Sequence, residues 1–181
     1  MKKVFIFIWE ITKIVVISLA IIIPIRYYLV QPFFVRGASM NPTFNNGQYL
    51  VINEIGYRFE EPDRGEVIVF RYPIDPSQYY IKRIIGLPGE VIEIKDGYVS
   101  IYNQEFPEGK VLDESIYLPE GRITVGQIHL KLDENEYFVL GDNRQASSDS
   151  RQWGKLPGDN IIGRVWLRAW PFNTAKYFKY D

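Results

Sequence analysis

The stretch YYIKRIIGLPGEVIEIKDGYVSIYN, residues 79–103, decides the fold class of this chain. It contains three runs rich in Val, Ile and Tyr, and two turn signals separate them. Leu87-Pro88-Gly89-Glu90 has Pro followed by Gly, as a type II turn requires, and Asp96-Gly97 suits a two-residue hairpin turn. We therefore predict a three-stranded meander within a protein that is mainly β.

Further runs of the same kind lie on both sides of this unit. From Gln31 onward, short stretches rich in β-branched and aromatic residues alternate with Gly, Pro, Asn and Asp, without a helical period. The other predicted strands are EVIVFRYP (66–73), QIHLKLD (127–133), EYFVLGD (136–142) and IIGRVWLRAW (161–170). Only the polar segment 103–125 has no clear assignment. The pattern predicts one antiparallel β-sandwich or barrel-like domain over residues 31–181.

Residues 1–30 are far more apolar than the rest of the chain. They have the basic start and apolar run of a secretory signal, but no A-x-A-like cleavage site follows closely. The segment from Ile11 to Val30 would form about 30 Å of helix, enough to cross a bilayer. We predict one transmembrane anchor, with a buried helix of the domain as the alternative. Basic residues before the apolar run outweigh those after it, which predicts a cytoplasmic N-terminus and an extracytoplasmic domain.

Composition excludes several kinds of chemistry. The chain has 181 residues and a formal net charge of −1 at pH 7, so we expect no nucleic-acid partner. It has no cysteine, which excludes disulfides and thiolate catalysis. The single histidine, His129, alternates with Ile128 and Leu130 in a predicted strand, so we expect it to be exposed. A metal site built from cysteine or histidine is therefore not expected.

With cysteine absent and the histidine exposed, a lysine is a candidate base for a hydroxyl nucleophile. Such a lysine must be desolvated, because an ordinary pKa near 10.4 keeps it protonated at neutral pH. Lys82 lies in YYIKRIIGL, where strand alternation places Tyr80 and Ile84 on its face and Arg83 on the other. Lys82 is the lysine expected to be buried, and the open alternative is a charged residue on an exposed strand edge.

A candidate nucleophile lies in GASMNPTF, residues 37–44. Gly37 and Ala38 leave room for a second backbone, and a turn containing Pro42 fixes the chain direction after Ser39. A segment of this kind presents a hydroxyl rigidly. The open alternative is an ordinary serine in a turn.

The segment GDNRQASSDSR, residues 141–151, combines acids, hydroxyls and arginines directly after a predicted strand. One interpretation is an exposed polar loop. The other is a partly buried network in which a serine hydroxyl holds the amine of the base. The charged residues that would pair in this network are Asp142, Arg144, Asp149 and Arg151.

Taken in chain order, these stretches resemble the type I signal peptidases, membrane-anchored Ser/Lys endopeptidases that remove signal peptides from exported proteins. The matching features are the N-terminal anchor, GASMNPTF, RGEVIVFRYP (64–73), IKRIIGLPGE (81–90) and GDNRQASSDSR. They cover the chain from the anchor to about Arg168. The resemblance implies a mainly β catalytic domain of the signal peptidase and repressor-protease type, with one N-terminal transmembrane helix.

The resemblance also implies roles for individual residues. Ser39 is implied as the nucleophile and Lys82 as the general base, with Met40 shaping the site beside the serine. Ser147 is implied as the residue that hydrogen-bonds the base amine. Support through charge pairs is implied for Asp142, Arg144, Asp149 and Arg151. The implied reaction is acyl transfer through a serine ester, with no metal and no organic cofactor.

Gly37 departs from part of the family, in which a serine at this position helps to form the oxyanion hole. The glycine is similar to the version found in other members. The backbone N–H of Ser39 is then expected to carry more of the oxyanion stabilisation, with a backbone or water contact near Gly37.

The implied partners are signal peptides of exported preproteins, and membrane lipid. The substrate is expected to bind as an added β-strand, with small residues such as alanine at the first and third positions before the cut. We place the pockets around Phe34, Val35, Gly37, Ile81 and Ile84. The enzyme is expected to act as a monomer at the cell membrane.

Aromatic residues outside the anchor predict a second contact with the membrane. Phe33 and Phe34, with RVWLRAWPF (164–172), could rest on the bilayer. The alternative is that Trp166 and Trp170 belong to the core.

Two other functions stay open at this point. A self-cleaving Ser/Lys repressor protease shares the dyad, although the membrane anchor occupies the place of its DNA-binding domain. A catalytically inactive membrane-anchored binding domain would be favoured if Ser39 and Lys82 were far apart.

Overall fold

The computed structural model of this chain describes residues 2–28 and 30–180. Helix α1 covers Lys2–Tyr28, and a short helix α2 covers Ser150–Trp153. The first six strands are β1 (Val30–Phe34), β2 (Tyr49–Asn53), β3 (Val67–Arg71), β4 (Tyr79–Gly86), β5 (Val91–Lys95) and β6 (Tyr98–Tyr102). The other six are β7 (Lys110–Val111), β8 (Ile128–Lys131), β9 (Glu136–Leu140), β10 (Leu156–Pro157), β11 (Ile161–Trp170) and β12 (Lys176–Tyr177).

The described strands form two antiparallel sheets. The larger sheet has the order β1-β2-β11-β3-β4-β9-β10, with β12 paired to β11, and the smaller one has the order β7-β6-β5-β8. The two sheets share a core in which Ile85 and Phe138 of the larger sheet pack with Ile92 and Ile94 of the smaller one. This arrangement confirms the predicted mainly β, antiparallel fold class.

The predicted three-stranded meander is wrong in one respect. Strands β5 and β6 do form a hairpin, and its turn has positive φ at Asp96 (52°) and Gly97 (90°). Strand β4, however, pairs with β3 and β9 and not with β5. The predicted turn forms, with the Glu90 N–H donating to the Leu87 carbonyl at 3.2 Å, but it carries the chain from one sheet to the other. The physical reason is that β3 and β9 occupy the two edges of β4, so β5 packs against a face of that sheet.

The remaining strand predictions are confirmed. Strands β3, β8, β9 and β11 lie within the four predicted runs, and His129 on β8 is exposed, as its alternation indicates. Within segment 103–125, the only regular element is the two-residue strand β7. That segment nevertheless contributes buried groups to the site described below.

Helix α1 is long and apolar enough to cross a membrane over Lys2–Ile23, and none of its most apolar window is buried. This exposure contradicts the buried-helix alternative. The helix begins at Lys2, before the predicted start of the span at Ile11, and Val30, the predicted end of the span, already belongs to strand β1. Near its middle, the helix has an exposed ion pair between Glu10 and Lys13 at 2.7 Å.

Candidate active site

The loop that follows β1 holds Ser39 in a turn fixed by backbone hydrogen bonds. The Asn41 N–H donates to the Ala38 carbonyl at 3.1 Å, and the Phe44 N–H donates to the Met40 carbonyl at 2.8 Å. The Met40 and Phe44 side chains are buried in the core between β1, β2 and β3. Ser39 itself stays partly exposed. The turn therefore presents the hydroxyl from a well-anchored backbone.

Lys82 lies on β4, paired in register with Ile68 of β3, and it is only 3% exposed. Its Nζ lies 2.9 Å from Oγ of Ser39. The same amine donates to the Ile81 carbonyl at 2.9 Å and lies 5.1 Å from the centre of the Tyr80 ring. The prediction that Lys82 is buried is confirmed, and the alternative of an exposed edge lysine is wrong.

Burial changes the protonation of this amine. Desolvation lowers the pKa of Lys82 to about 8, although the carboxylates of Asp149 and Asp142 act in the opposite direction. A lysine with this pKa is neutral in roughly a tenth of the molecules at pH 7, whereas an ordinary lysine is neutral in fewer than about one in a thousand. The amine can therefore accept a proton, which an ordinary lysine cannot do there.

Asp142 and Arg83 form a buried ion pair beside the two residues. The Arg83 guanidinium donates to Asp142 through Nε at 2.9 Å and through a terminal nitrogen at 2.6 Å. The Thr43 hydroxyl, four residues after Ser39, donates to the same carboxylate at 2.5 Å. Sequence reasoning missed Arg83 and Thr43 as site residues, although each lies in a motif that it had singled out.

Asp149 and Arg151 pair with each other, as predicted. The Arg151 guanidinium donates to both oxygens of Asp149 at 2.8 Å. Asp149, which is fully buried, also accepts from the Gly141 N–H at 3.1 Å. Through these contacts the carboxylate fixes the loop that follows β9.

Arg144 does not pair with either aspartate of its motif, so that part of the prediction is wrong. Its guanidinium contacts Glu114 and Thr124, which both belong to segment 103–125. The physical reason is that Arg83 and Arg151 already occupy the two aspartates. Burial lowers the pKa of Arg144, but the hydrogen bond and charge of Glu114 outweigh it and raise the pKa.

Ser147 lies in the same loop, but the hydrogen bond to the base amine that the resemblance implies is not formed in this structure. Its Oγ is buried and has no hydrogen-bond partner. Asn143 makes the contact with the serine turn instead, because its N–H donates to the Ser39 carbonyl at 2.9 Å. The Asn143 side chain also donates to the Ala38 carbonyl at 3.1 Å.

Ser39 and Lys82 face a cleft of about 680 Å³. Three of the predicted pocket residues, Phe34, Val35 and Ile81, line this cleft. Ile84 does not, and its placement in a substrate pocket is wrong. It is fully buried among Ile68, Phe70, Val139 and other core residues, because β9 covers this end of β4. Gly37 is not among the lining residues either, and its N–H donates to the Asn46 side chain at 2.9 Å.

The two tryptophans of β11 are neither core residues nor fully exposed. Trp166 is 41% exposed and Trp170 is 46% exposed, with Phe172 beside Trp170 at a ring distance of 4.7 Å. The core alternative for these tryptophans is wrong. Contact with lipid stays a prediction.

Comparisons with known proteins identify the family of this chain. A family model described as signal peptidase, peptidase S26, matches residues 8–170. Probable signal peptidase I-2 of Synechocystis is 35% identical over 90% of this chain and 73% of that protein. Signal peptidase IB of Staphylococcus aureus strain MRSA252 is 32% identical over 90% of both chains. The crystal structure of a signal peptidase I from Enterococcus faecalis V583 aligns with 58% of this chain and 97% of its own, at 30% identity and a TM-score of 0.47.

The chain is thus a hydrolase of the serine peptidase class. Within that class it belongs to the signal peptidase, peptidase S26 family.

Proposed function

We propose that this chain is a membrane-anchored endopeptidase that removes N-terminal signal peptides from exported preproteins, with Ser39 as nucleophile and Lys82 as general base. The observation that carries the proposal is the 2.9 Å contact between a buried lysine amine and a serine hydroxyl, both of which line a cleft. Family membership supports signal peptides as the substrates. The short distance disfavours an inactive binding domain, and the family disfavours a repressor protease.

The reaction proceeds in two proton-coupled steps. Neutral Lys82 takes the Ser39 proton while Oγ attacks the scissile carbonyl, and the protonated amine then gives that proton to the departing peptide nitrogen. The peptide before the cut is left as an ester on Ser39. A water then loses a proton to Lys82 and attacks the ester, and Lys82 returns that proton to Oγ as the ester bond breaks, which frees the serine and leaves a carboxyl group on the released peptide.

The tetrahedral oxyanion needs a hydrogen-bond donor. The Gly37 N–H is occupied by Asn46, so the backbone N–H of Ser39 is the donor that this loop supplies. Met40 holds that backbone in place through its buried side chain. Asp142 supports the serine turn by accepting from Thr43. The loop that contacts this turn is held by three further charged residues, Arg144, Asp149 and Arg151. The buried Ser147 hydroxyl lies close to Gly141 in the same loop.

The substrate binds along the first half of β4. Strand β9 pairs with β4 only over Arg83–Gly86, so the edge over Tyr79–Lys82 is free of any strand within the described part of the chain. An extended peptide can pair with this edge and place its scissile carbonyl at Ser39. Phe34, Val35 and Ile81 then limit the side chains before the cut to small ones.

Shortening Ile81 is expected to widen a substrate pocket. The parent should cleave a peptide with alanine before the cut faster than one with valine at that position. In the Ile81→Ala variant the ratio of these two rates should fall by at least about tenfold. Ile84→Ala is the matched control on the same strand, because its side chain lies in the core. It should lower stability by about 2–5 kcal/mol and leave the alanine preference unchanged. Equal preferences in the two variants would remove Ile81 from the pocket.

The pH dependence of cleavage should follow the amine of Lys82. Below its pKa of about 8 the amine is protonated and cannot accept the Ser39 proton, so activity is lost as the pH falls. Above that value the amine is neutral, and kcat/KM should reach a plateau. The measurement is kcat/KM for a soluble signal-peptide substrate from about pH 5 to about pH 11.5, which covers the ordinary lysine pKa. An acid limb centred near pH 10.4 would mean that the base is not desolvated.

Helix α1 is proposed as the membrane anchor, with the N-terminus in the cytoplasm and the catalytic domain, acting as a monomer, outside the cell membrane. Its length and apolar surface support a membrane span, and the basic residues at its start support this orientation. The exposed tryptophans of β11 are proposed to contact lipid headgroups. Protease digestion of spheroplasts tests the orientation, and a domain that stays protected until lysis would place it inside the cell.

A further inference from the structure

Segment 103–125, which has little regular structure, places the carboxylate of Glu114 against the active-site loop. Glu114 binds the guanidinium of Arg144 with both oxygens, one of them at 2.8 Å. The side chain of Arg144 is fully buried and that of Glu114 is 13% exposed. The Tyr117 hydroxyl donates to the same carboxylate at 2.7 Å. A buried arginine depends on such a partner, because an unpaired charge in the interior is strongly unfavourable.

Arg144 in turn belongs to the loop that contacts the serine turn. Its Nε donates to the Gly141 carbonyl at 3.2 Å, and the next residue back, Asn143, holds the Ser39 carbonyl through its N–H at 2.9 Å. The two backbones touch, since a Cβ at Gly141 would lie 2.5 Å from the Ser39 carbonyl oxygen. A shift of this loop therefore moves Ser39.

The same segment also contacts the residue beside the base. The Tyr117 ring lies 4.0 Å from the guanidinium carbon of Arg83, which follows Lys82 on β4. Arg122 donates to the Asp142 carbonyl at 3.3 Å. The segment thus touches the serine side of the site through Arg144 and the lysine side through Arg83.

We propose that Glu114 is a positioning residue for the peptidase reaction, which fixes Ser39 relative to Lys82 by holding Arg144 and orienting Tyr117. It does not touch the substrate. A displacement of about 1 Å at reacting groups can lower the rate by about two orders of magnitude. Loss of the contact between Glu114 and Arg144 is therefore expected to lower kcat. The kinetic part of this proposal rests on the proposed function, and its structural part does not.

The test compares Glu114→Gln and Tyr117→Phe with Glu120→Gln in the full chain. Glu120 lies in the same segment and is exposed, so it is a matched control for the loss of one negative charge. With an Ala-x-Ala peptide, Glu114→Gln should lower kcat about ten- to a hundred-fold with KM unchanged within about twofold. Tyr117→Phe, which keeps the carboxylate, should lower kcat by about threefold in the same way. Glu120→Gln should change neither constant.

Hydrogen exchange measured by mass spectrometry separates positioning from general destabilisation. In Glu114→Gln the peptides over residues 37–44 and 141–147 should exchange about tenfold faster, while the β5–β6 hairpin keeps its protection. Faster exchange throughout the domain, unchanged exchange at 37–44, or the same kcat loss in Glu120→Gln would each overturn the proposal. If the parent chain does not cleave, the proposed function fails and the exchange result alone decides the role of Glu114.

Discussion

Replacing Lys82 with methionine is expected to lower kcat/KM by about 10⁴-fold, which is the loss that follows when a proton-transfer partner of a serine nucleophile is removed. Methionine is close to lysine in length and apolar, so it fits the 3% exposed position on β4 without leaving a charge to bury. Among the described residues, Lys82 is the one whose side chain hydrogen-bonds the Ser39 hydroxyl, so the variant leaves the serine without its proton acceptor. The measurement is steady-state cleavage of an Ala-x-Ala peptide at pH 9, where the parent is most active.

Lys131→Met is the matched control for this substitution. Lys131 lies on β8 of the smaller sheet and is exposed, so the same chemical change there should leave kcat/KM within about twofold of the parent. Thermal unfolding of both variants in detergent checks that the domain is intact. Activity of Lys82→Met within tenfold of the parent would show that another group acts as the base.

The second large effect is expected on stability. Asp142→Ala removes the partner of a buried arginine, so Arg83 is left as an uncompensated charge and the Thr43 hydroxyl loses its acceptor. We expect the free energy of unfolding to fall by about 3–5 kcal/mol, because removing one partner of a buried ion pair leaves the other charge buried without a counter-charge. Denaturant unfolding in detergent micelles, followed by tryptophan fluorescence, measures the change.

Two further variants serve as controls for the effect of Asp142→Ala. Asp133→Ala removes a carboxylate that is 75% exposed and paired with Lys155 at 3.2 Å, and it should change stability by less than about 1 kcal/mol. The double variant Asp142→Ala with Arg83→Met should be more stable than Asp142→Ala alone, because it no longer buries a charge. The cycle is completed by Arg83→Met alone. If the double variant lowers the free energy of unfolding by the sum of the two single losses, Asp142 and Arg83 are not coupled.

The predictions that succeeded depend on local signals. Burial of Lys82 follows from the apolar residues around it in its strand, and the fixed turn at Ser39 follows from Gly37 and Pro42. The hairpin at Asp96-Gly97 is set by two residues whose backbone favours positive φ. Each of these features is decided within a few residues along the chain.

The predictions that failed depend on which elements meet in space. The turn at Leu87–Glu90 forms as expected, but a turn does not determine whether the next strand pairs at an edge or crosses to another sheet. Alternation correctly places Ile84 on the face of Lys82, yet β9 covers only that end of β4 and buries it. The partner of Arg144 lies 30 residues away in a segment without periodicity, so no pattern could have indicated it.

The most direct test of the dyad is cleavage of a preprotein with an Ala-x-Ala site by the full chain in lipid vesicles, with the parent and Ser39→Ala compared by mass spectrometry of the products. The contact of 2.9 Å between Ser39 and Lys82 predicts that the parent cuts after the last alanine and that Ser39→Ala releases no product. Cleavage by Ser39→Ala at the rate of the parent, or no cleavage by a folded parent, would contradict the assignment of Ser39 as the nucleophile.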